Sequence, residues 1–372
     1  MKRYFAFLLA AAVSIGILTG CSKQSASKSS ASANSSASSG NSSGATDNPY
    51  TPESPLVWKL NSNQNEEETK NSAQGQAYLH LAQELERRTD GAWKVELYYS
   101  SQLGSKSAEL INGAQFGTFQ LFNLNCSSWS EYSNAFSIMN VPYLFTDEEV
   151  AIEFMRGEIG QSMSRQLSED TGISIAFYCP AGFRNTYNNV RPIHKPSDMV
   201  GIKMRTMSDK YIIASFEALG ASAVSVPYSE LYTALQQGLV DGADNPFLNI
   251  YNSKHNEVTT YLSETRNIFS VANLCVADVA YDALPSEWQT LFDEVCAECL
   301  DIGCNTAIDK SAIEARDYLT QNMVFNTLTE EEYDLFKEAT AGVREMAKEE
   351  IGEEFWNSAM EEISRIESEL GK

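Results

Sequence analysis

The sequence predicts an α/β fold of two lobes, with a ligand cleft between them and a mostly helical C-terminal region. Three observations predict it. Strand-like and helix-like stretches alternate in two successive groups, each large enough to build a sheet covered by helices. From Pro285 to Lys372 the chain reads as largely helical and acidic. The 372 residues, 43% of them hydrophobic, are enough to bury two cores.

The first group opens with LVWKLN from Leu56, a short strand. SAQGQAYLHLAQELERR follows, with Ala77, Tyr78, Leu81, Ala82 and Leu85 on one helical face. Asp90-Gly91 marks a turn, and WKVELYY sets Trp93, Val95 and Leu97 on one side of a strand. After Gly104 come the helix SAELINGAQF and the strand TFQLFNL. VPYLFTDEEVAIEFMRG places Thr146 three residues before Glu149, a capping box that predicts Thr146 as N-cap. ISIAFYC, from Ile173, reads as a buried strand.

The second group begins with the extended stretches FRNTYNN and GIKMRTM. DKYIIASFEALG and SELYTALQQG are helices closing on Gly220 and Gly238, with the strand SAVSVP between them and LVDGAD after. No internal repeat is visible.

The formal net charge is -23, from 27 basic and 50 acidic residues. Such a surface repels nucleic acid and anionic lipid headgroups. An anionic ligand would need local positive groups working against the global field. The chain begins MKRYFAFLLAAAVSIGILTGCS: Lys2 and Arg3, an apolar run from Phe5 to Leu18, then small residues before Cys21. The apolar run is short for a membrane span. The pattern is similar to the lipobox of bacterial lipoproteins, which implies cleavage before Cys21 and its lipidation. The serine-rich stretch after it has too few apolar side chains for a core. It reads as a tether to Ser54, with a reach of about 30 Å.

Of the other cysteines, Cys296 and Cys299 form a C-x2-C with Cys304 nearby, within a helical segment. No second pair and no histidine accompany them, so they read as small helix positions rather than a metal site. The three histidines, His80, His194 and His255, have no ligand-spaced partner. No nucleophile elbow, phosphate-binding loop or dinucleotide fingerprint is present. No enzyme, cofactor or metal is expected. Asp241 and Asp244 read as a tight turn before Pro246, with Asp244 capping or hydrogen-bonding backbone.

AGFRNTYNNVRPIHKPSDMVGIKMRTM and EALGASAVSVPYSELYTALQQGLVDGADNPFLNIYNSK carry a family signal, supported by YSSQLG and NVPYLFTDEEVA. This chain resembles the DctP-like solute-binding proteins of tripartite ATP-independent periplasmic (TRAP) transporters, over nearly everything after Ser54. The resemblance implies a class II periplasmic-binding-protein-like fold that closes on a small organic acid, of the sugar-acid, uronate or dicarboxylate class. It also implies delivery to the small and large TRAP membrane subunits. Lobe 1 would be 55–181 with about 271–310, and lobe 2 would be 182–270 with about 311–372. A signal peptide at 1–20 and a lipidated, serine-rich segment at 21–54 would precede them. The expected state is a monomer, lipid-anchored on the outer face of the cytoplasmic membrane. A sensor subunit and an extracellular sugar-acid enzyme are the alternatives.

By the same resemblance, Arg205 follows the G-[LIV]-K-x motif and pairs with the ligand carboxylate. Arg184 in GFRNTYNN and Asn245 in DGADNP assist, Asn61 and Asn125 add contacts, and Tyr228 and Ser208 line the pocket. The chemistry fits: a guanidinium is a planar, permanently charged fork for a carboxylate, and an amide donates without adding charge. Ser105-Lys106, DGADNP and Asn125 depart from common family residues and leave the identity of the acid open.

Overall fold

The computed structural model describes residues 48–304 and 310–372. The signal peptide, the lipidation of Cys21 and most of the tether lie outside the described residues. Packing begins before Ser54, within the stretch read as tether. Tyr50 stacks on Trp288 with ring centres 5.5 Å apart, and Thr51 and Ser54 close a turn on each other. An aromatic side chain supplies what a serine tract lacks, an apolar surface to anchor.

The strands, in chain order, are β1 (Leu56–Asn61), β2 (Trp93–Tyr98), β3 (Leu121–Asn125), β4 (Ile173–Phe183), β5 (Asn185–Asn188) and β6 (Lys203–Thr206). They continue with β7 (Ser222–Ser225), β8 (Gly242–Asn245), β9 (Tyr261–Glu264), β10 (Phe269–Ala277) and β11 (Val324–Thr327). Two sheets form, ordered β2-β1-β3-β10-β4 and β11-β9-β5-β8-β6-β7. This is the two-lobed α/β arrangement that the alternating pattern predicts. In the first sheet β1 runs parallel to β2 and β3, while β10 is antiparallel to β3 and β4. In the second, β6 is parallel to β7 and β8, and β5 is antiparallel to β8 and β9.

Strands β9, β10 and β11 are absent from the sequence reading. All nine residues of β10 are buried, so FSVANLCVA shows no alternation of apolar and polar side chains. β11 has four residues and sits among helices. Thr146 is not the N-cap of the helix Glu148–Arg156. Asp147 is, its carboxylate accepting from Glu149 N at 2.9 Å. A carboxylate is also favoured by the positive end of the helix dipole.

The chain crosses between the sheets from β4 to β5, from β9 to β10 and again between β10 and β11, and the first two passages are hydrogen-bonded to each other. Phe183 ends β4 and Asn185 opens β5, with Arg184 between them. Arg184 N donates to Ile268 O at 2.9 Å, and Asn267 N to Arg184 O at 3.2 Å, on the return from β9 to β10.

The first sheet's core on one side joins Trp58, Trp93, Trp288 and Phe292 with the buried face of the helix Ala73–Arg88, which holds the predicted Ala77, Tyr78, Leu81 and Leu85. Trp93 and Trp288 stack at 5.1 Å. The C-terminal helix Glu353–Leu370, grouped with lobe 2 in the sequence reading, packs Ala359, Ile363 and Ile366 into the core of the first sheet's other side, with Phe154 and Met155. The six described cysteines are buried, free thiols. Burial holds Cys126 and Cys299 up at about 12 and Cys304 at about 11, far from thiolate chemistry.

Candidate functional site

Residues at the carboxyl ends of strands carry the polar groups of one cavity. Asn61 ends β1, Asn125 ends β3, Asn245 ends β8, and Arg205 is next to last in β6. Ligands of open α/β sheets sit where such ends converge. Here the cavity has a volume of about 440 Å³ and draws its walls from both sheets. All seven residues singled out in the sequence line it: Asn61, Asn125, Arg184, Arg205, Ser208, Tyr228 and Asn245.

The two arginines differ in what balances them. Successive strand residues face opposite ways, so Met204 enters the core beneath and Arg205 faces the cavity. Arg205 is 2% exposed, and its Nε donates to Val226 O at 2.8 Å. Neither Nη has a partner among the described residues. Burial first, and then the nearby Arg184, lower its guanidinium to about 10, so it remains charged at neutral pH. Arg184 is equally buried but compensated. Its Nε and Nη2 grip the two oxygens of Asp244 at 2.8 Å each, and Nη2 also donates to Asp244 O. Asp244 takes a further bond from Asn267 Nδ2 at 3.0 Å. The expected tight turn is therefore a strand, and Asp244 is the buried counter-ion of Arg184 rather than a cap. Burial opposes ionisation of Asp244, but Arg184 outweighs it and holds the carboxyl below its ordinary range.

Asn245 Nδ2 donates to Tyr187 Oη at 2.9 Å, and Tyr187 Oη lies 2.9 Å from His255 Nδ1. Burial, then Arg205, push His255 down to about 3, so the ring is neutral and its Nδ1 can accept the phenolic proton. Tyr187 and His255 thus orient the amide, a role the sequence reading did not see. Its one available signal was period two in the extended NTYN stretch, which places Tyr187 on the same face as Asn185.

Asn61 and Asn125 are partly committed to their own backbone. Asn61 Nδ2 donates to Gly104 O at 3.0 Å, and its Oδ1 accepts from Leu103 N at 3.1 Å. Asn125 Oδ1 accepts from Ser127 N at 3.0 Å, and its Nδ2 donates to Ser270 Oγ at 2.9 Å. Tyr228 Oη contacts Ser253 Oγ, and Ser208 is exposed at the cavity's edge.

The remaining wall was not legible in the sequence. It carries Asn63, Gln64, Gln74, Asn123 and Asn249, with several serines. Asn63 Nδ2, Gln64 Nε2 and Gln74 Oε1 have no hydrogen-bond partner among the described residues, and all three residues line the cavity. Lys106 also lines it, but its side chain is 71% exposed and sits 3.8 Å from Glu109. Among the described residues, no cluster of His, Cys, Asp or Glu could hold a metal ion.

Comparison with known proteins gives a consistent picture. The model of the family described as "Bacterial extracellular solute-binding protein, family 7" matches residues 64–350. A "Solute-binding protein" of Verminephrobacter eiseniae is 33% identical over 222 residues, 60% of this chain. The match spans 66% of that relative, just under two thirds of its length. The "C4-dicarboxylate-binding periplasmic protein DctP" of Rhodobacter capsulatus is 32% identical over 273 residues, 72% of this chain and 80% of that one. Among solved structures, the sugar acid binding protein DctPAm from Advenella mimigardefordensis, in complex with galactonate, superposes with a TM-score of 0.78. It is 26% identical, over 84% of this chain and 99% of that one.

Proposed function

Because this chain belongs to the bacterial extracellular solute-binding protein family 7, we propose that it is an extracytoplasmic receptor for a polyhydroxylated monocarboxylate, an aldonate or uronate. One observation carries the reading: Arg205 is a buried cation with no acidic partner among the described residues, in the wall of a cavity that also presents amides and hydroxyls. A buried charge is costly unless something neutralises it, and a ligand carboxylate would do so. The carboxylate takes the two free Nη groups of Arg205 as a bidentate pair, with Asn245 as a neutral donor. Arg184, held by Asp244, supplies a third donor through its Nη1.

The rest of the cavity decides between acids. A C4-dicarboxylate such as the Rhodobacter relative's ligand brings a second negative charge. The opposite wall offers amides and hydroxyls, and its cation Lys106 is solvated. Amides facing the cavity match sugar hydroxyls, which accept and donate without charge.

As family resemblance implies, the receptor passes its acid to small and large TRAP membrane subunits. It does so as a monomer tethered to the membrane through a lipid on Cys21. Binding without turnover separates it from a sugar-acid enzyme. The test is a thermal-shift panel of D-galactonate, D-glucuronate, succinate and neutral D-galactose. Ligand that binds only the folded form raises the melting temperature. A shift with galactonate or glucuronate and none with galactose supports the reading. A shift with succinate alone replaces it with a dicarboxylate receptor.

A further inference from the structure

A second buried carboxylate stands just behind the cavity wall and has no part in gripping an acid. Glu68 lies on the short helix Glu66–Asn71, which follows β1 of the first sheet. It is 4% exposed. Its Oε2 closes a capping box by accepting from Asn65 N at 2.8 Å. Its Oε1 does something different. It accepts from Ser253 Oγ and lies 3.4 Å from Tyr228 Oη. Both partners belong to the other half of the molecule: Tyr228 follows β7, and Ser253 caps the helix Phe247–Asn252 after β8.

The contacts form a chain with a direction. Asn249 Nδ2 donates to Tyr228 Oη at 3.4 Å, Tyr228 Oη bonds to Ser253 Oγ, and Ser253 Oγ donates to Glu68 Oε1. Tyr228 and Asn249 line the cavity, so the chain joins the ligand-facing wall of one half to a carboxylate of the other.

We propose that Glu68 is the latch of the closed receptor: it holds the half built on β1 against the half built on β7 and β8, and so sets how long a ligand stays. The latch is separate from the arginine that recognises the acid, and it rests on the receptor reading only for what the cavity holds. A helix cap alone requires one carboxylate oxygen and would leave the other to solvent. Here the other oxygen is buried against two hydroxyls across the divide. Burying a carboxylate costs free energy that such bonds roughly return, so the contact is closely balanced and can open. Burial also pushes the Glu68 carboxyl above its ordinary range, against the pull of its hydrogen bonds.

Amide hydrogen exchange tests this in wild type, Glu68→Gln and Ser253→Ala, each with and without saturating D-galactonate. Ser253→Ala leaves the capping box intact. If Glu68 is the latch, it speeds exchange across the divide, at residues 66–71, by about tenfold in at least one condition. Glu68→Gln does the same at 249–254, and galactonate, where it binds, dissociates faster with its association rate unchanged. If Glu68 serves only its own helix, Glu68→Gln affects 66–71 alone and Ser253→Ala leaves 66–71 unchanged in both conditions. That result would overturn the latch. A wild type that ignores galactonate counts against the choice of acid, while exchange in the unliganded chain still decides the latch.

Discussion

Two buried arginines in one cavity wall look alike in sequence and differ in what balances them. Arg184 is paired directly with Asp244, whereas Arg205 has no ion pair among the described residues. Arg205→Met should abolish acid binding while leaving the unliganded protein as stable as wild type or more so, because it removes an uncompensated buried charge. Calorimetric titration beside thermal unfolding checks both halves of that statement. Asp244→Asn should do the reverse damage, stranding Arg184 at a cost of about 3 kcal/mol in unfolding free energy. Asp209 gives a pH signature. It caps the helix Lys210–Ala218 and accepts from Asn140 Nδ2 at 2.8 Å and from Ser130 Oγ. Burial holds its carboxyl at about 6, above the ordinary 3.8. A carboxyl raised in the fold favours the protonated native state, so its contribution is greatest below 3.8 and is lost as pH rises through 6. The melting temperature of wild type minus that of Asp209→Asn should therefore fall between pH 4 and 7; a constant or rising difference would refute the assignment. At this scale the motif around GIKMRTM was enough to single out Arg205. The Asp244 counter-ion and the Tyr187–His255 support were not legible, because pairings across 60 and 68 residues leave no local pattern.

Strands and helix ends place those residues. β5 and β8 pair antiparallel, aligning Asn185 with Asn245 and Tyr187 with Ala243. Gly242 makes the approach possible: a Cβ there would stand 2.4 Å from Tyr187 O and 2.6 Å from Asn188 Cβ. Gly242→Ala should push the strands apart, weaken acid binding at least about tenfold and cost roughly 2 kcal/mol of stability. Wild-type affinity in that variant would detach the strand pairing from the site. Amphipathic helices such as Ala73–Arg88 announced themselves through their period, and glycine stops at Gly220 and Gly238 matched the observed ends. β10 did not, since a strand buried on both faces offers only an apolar run.

The whole molecule carries a formal charge of -23, yet the ligand proposed for its cavity is an anion. Long-range repulsion should slow the encounter, and screening should relieve it. The association rate of a monocarboxylate should therefore rise severalfold as salt increases from about 10 to about 150 mM. A rate that falls with salt would mean that the field near the mouth is positive, which would point to Lys106 as a steering group. The central claim is more local than this field, and one measurement reaches it directly: a crystal structure with the acid selected by the thermal-shift panel. The account predicts both carboxylate oxygens on the two Nη atoms of Arg205, at about 2.8 Å, with the hydroxyls against the amide wall. A carboxylate lodged instead at Lys106, with Arg205 untouched, would contradict it.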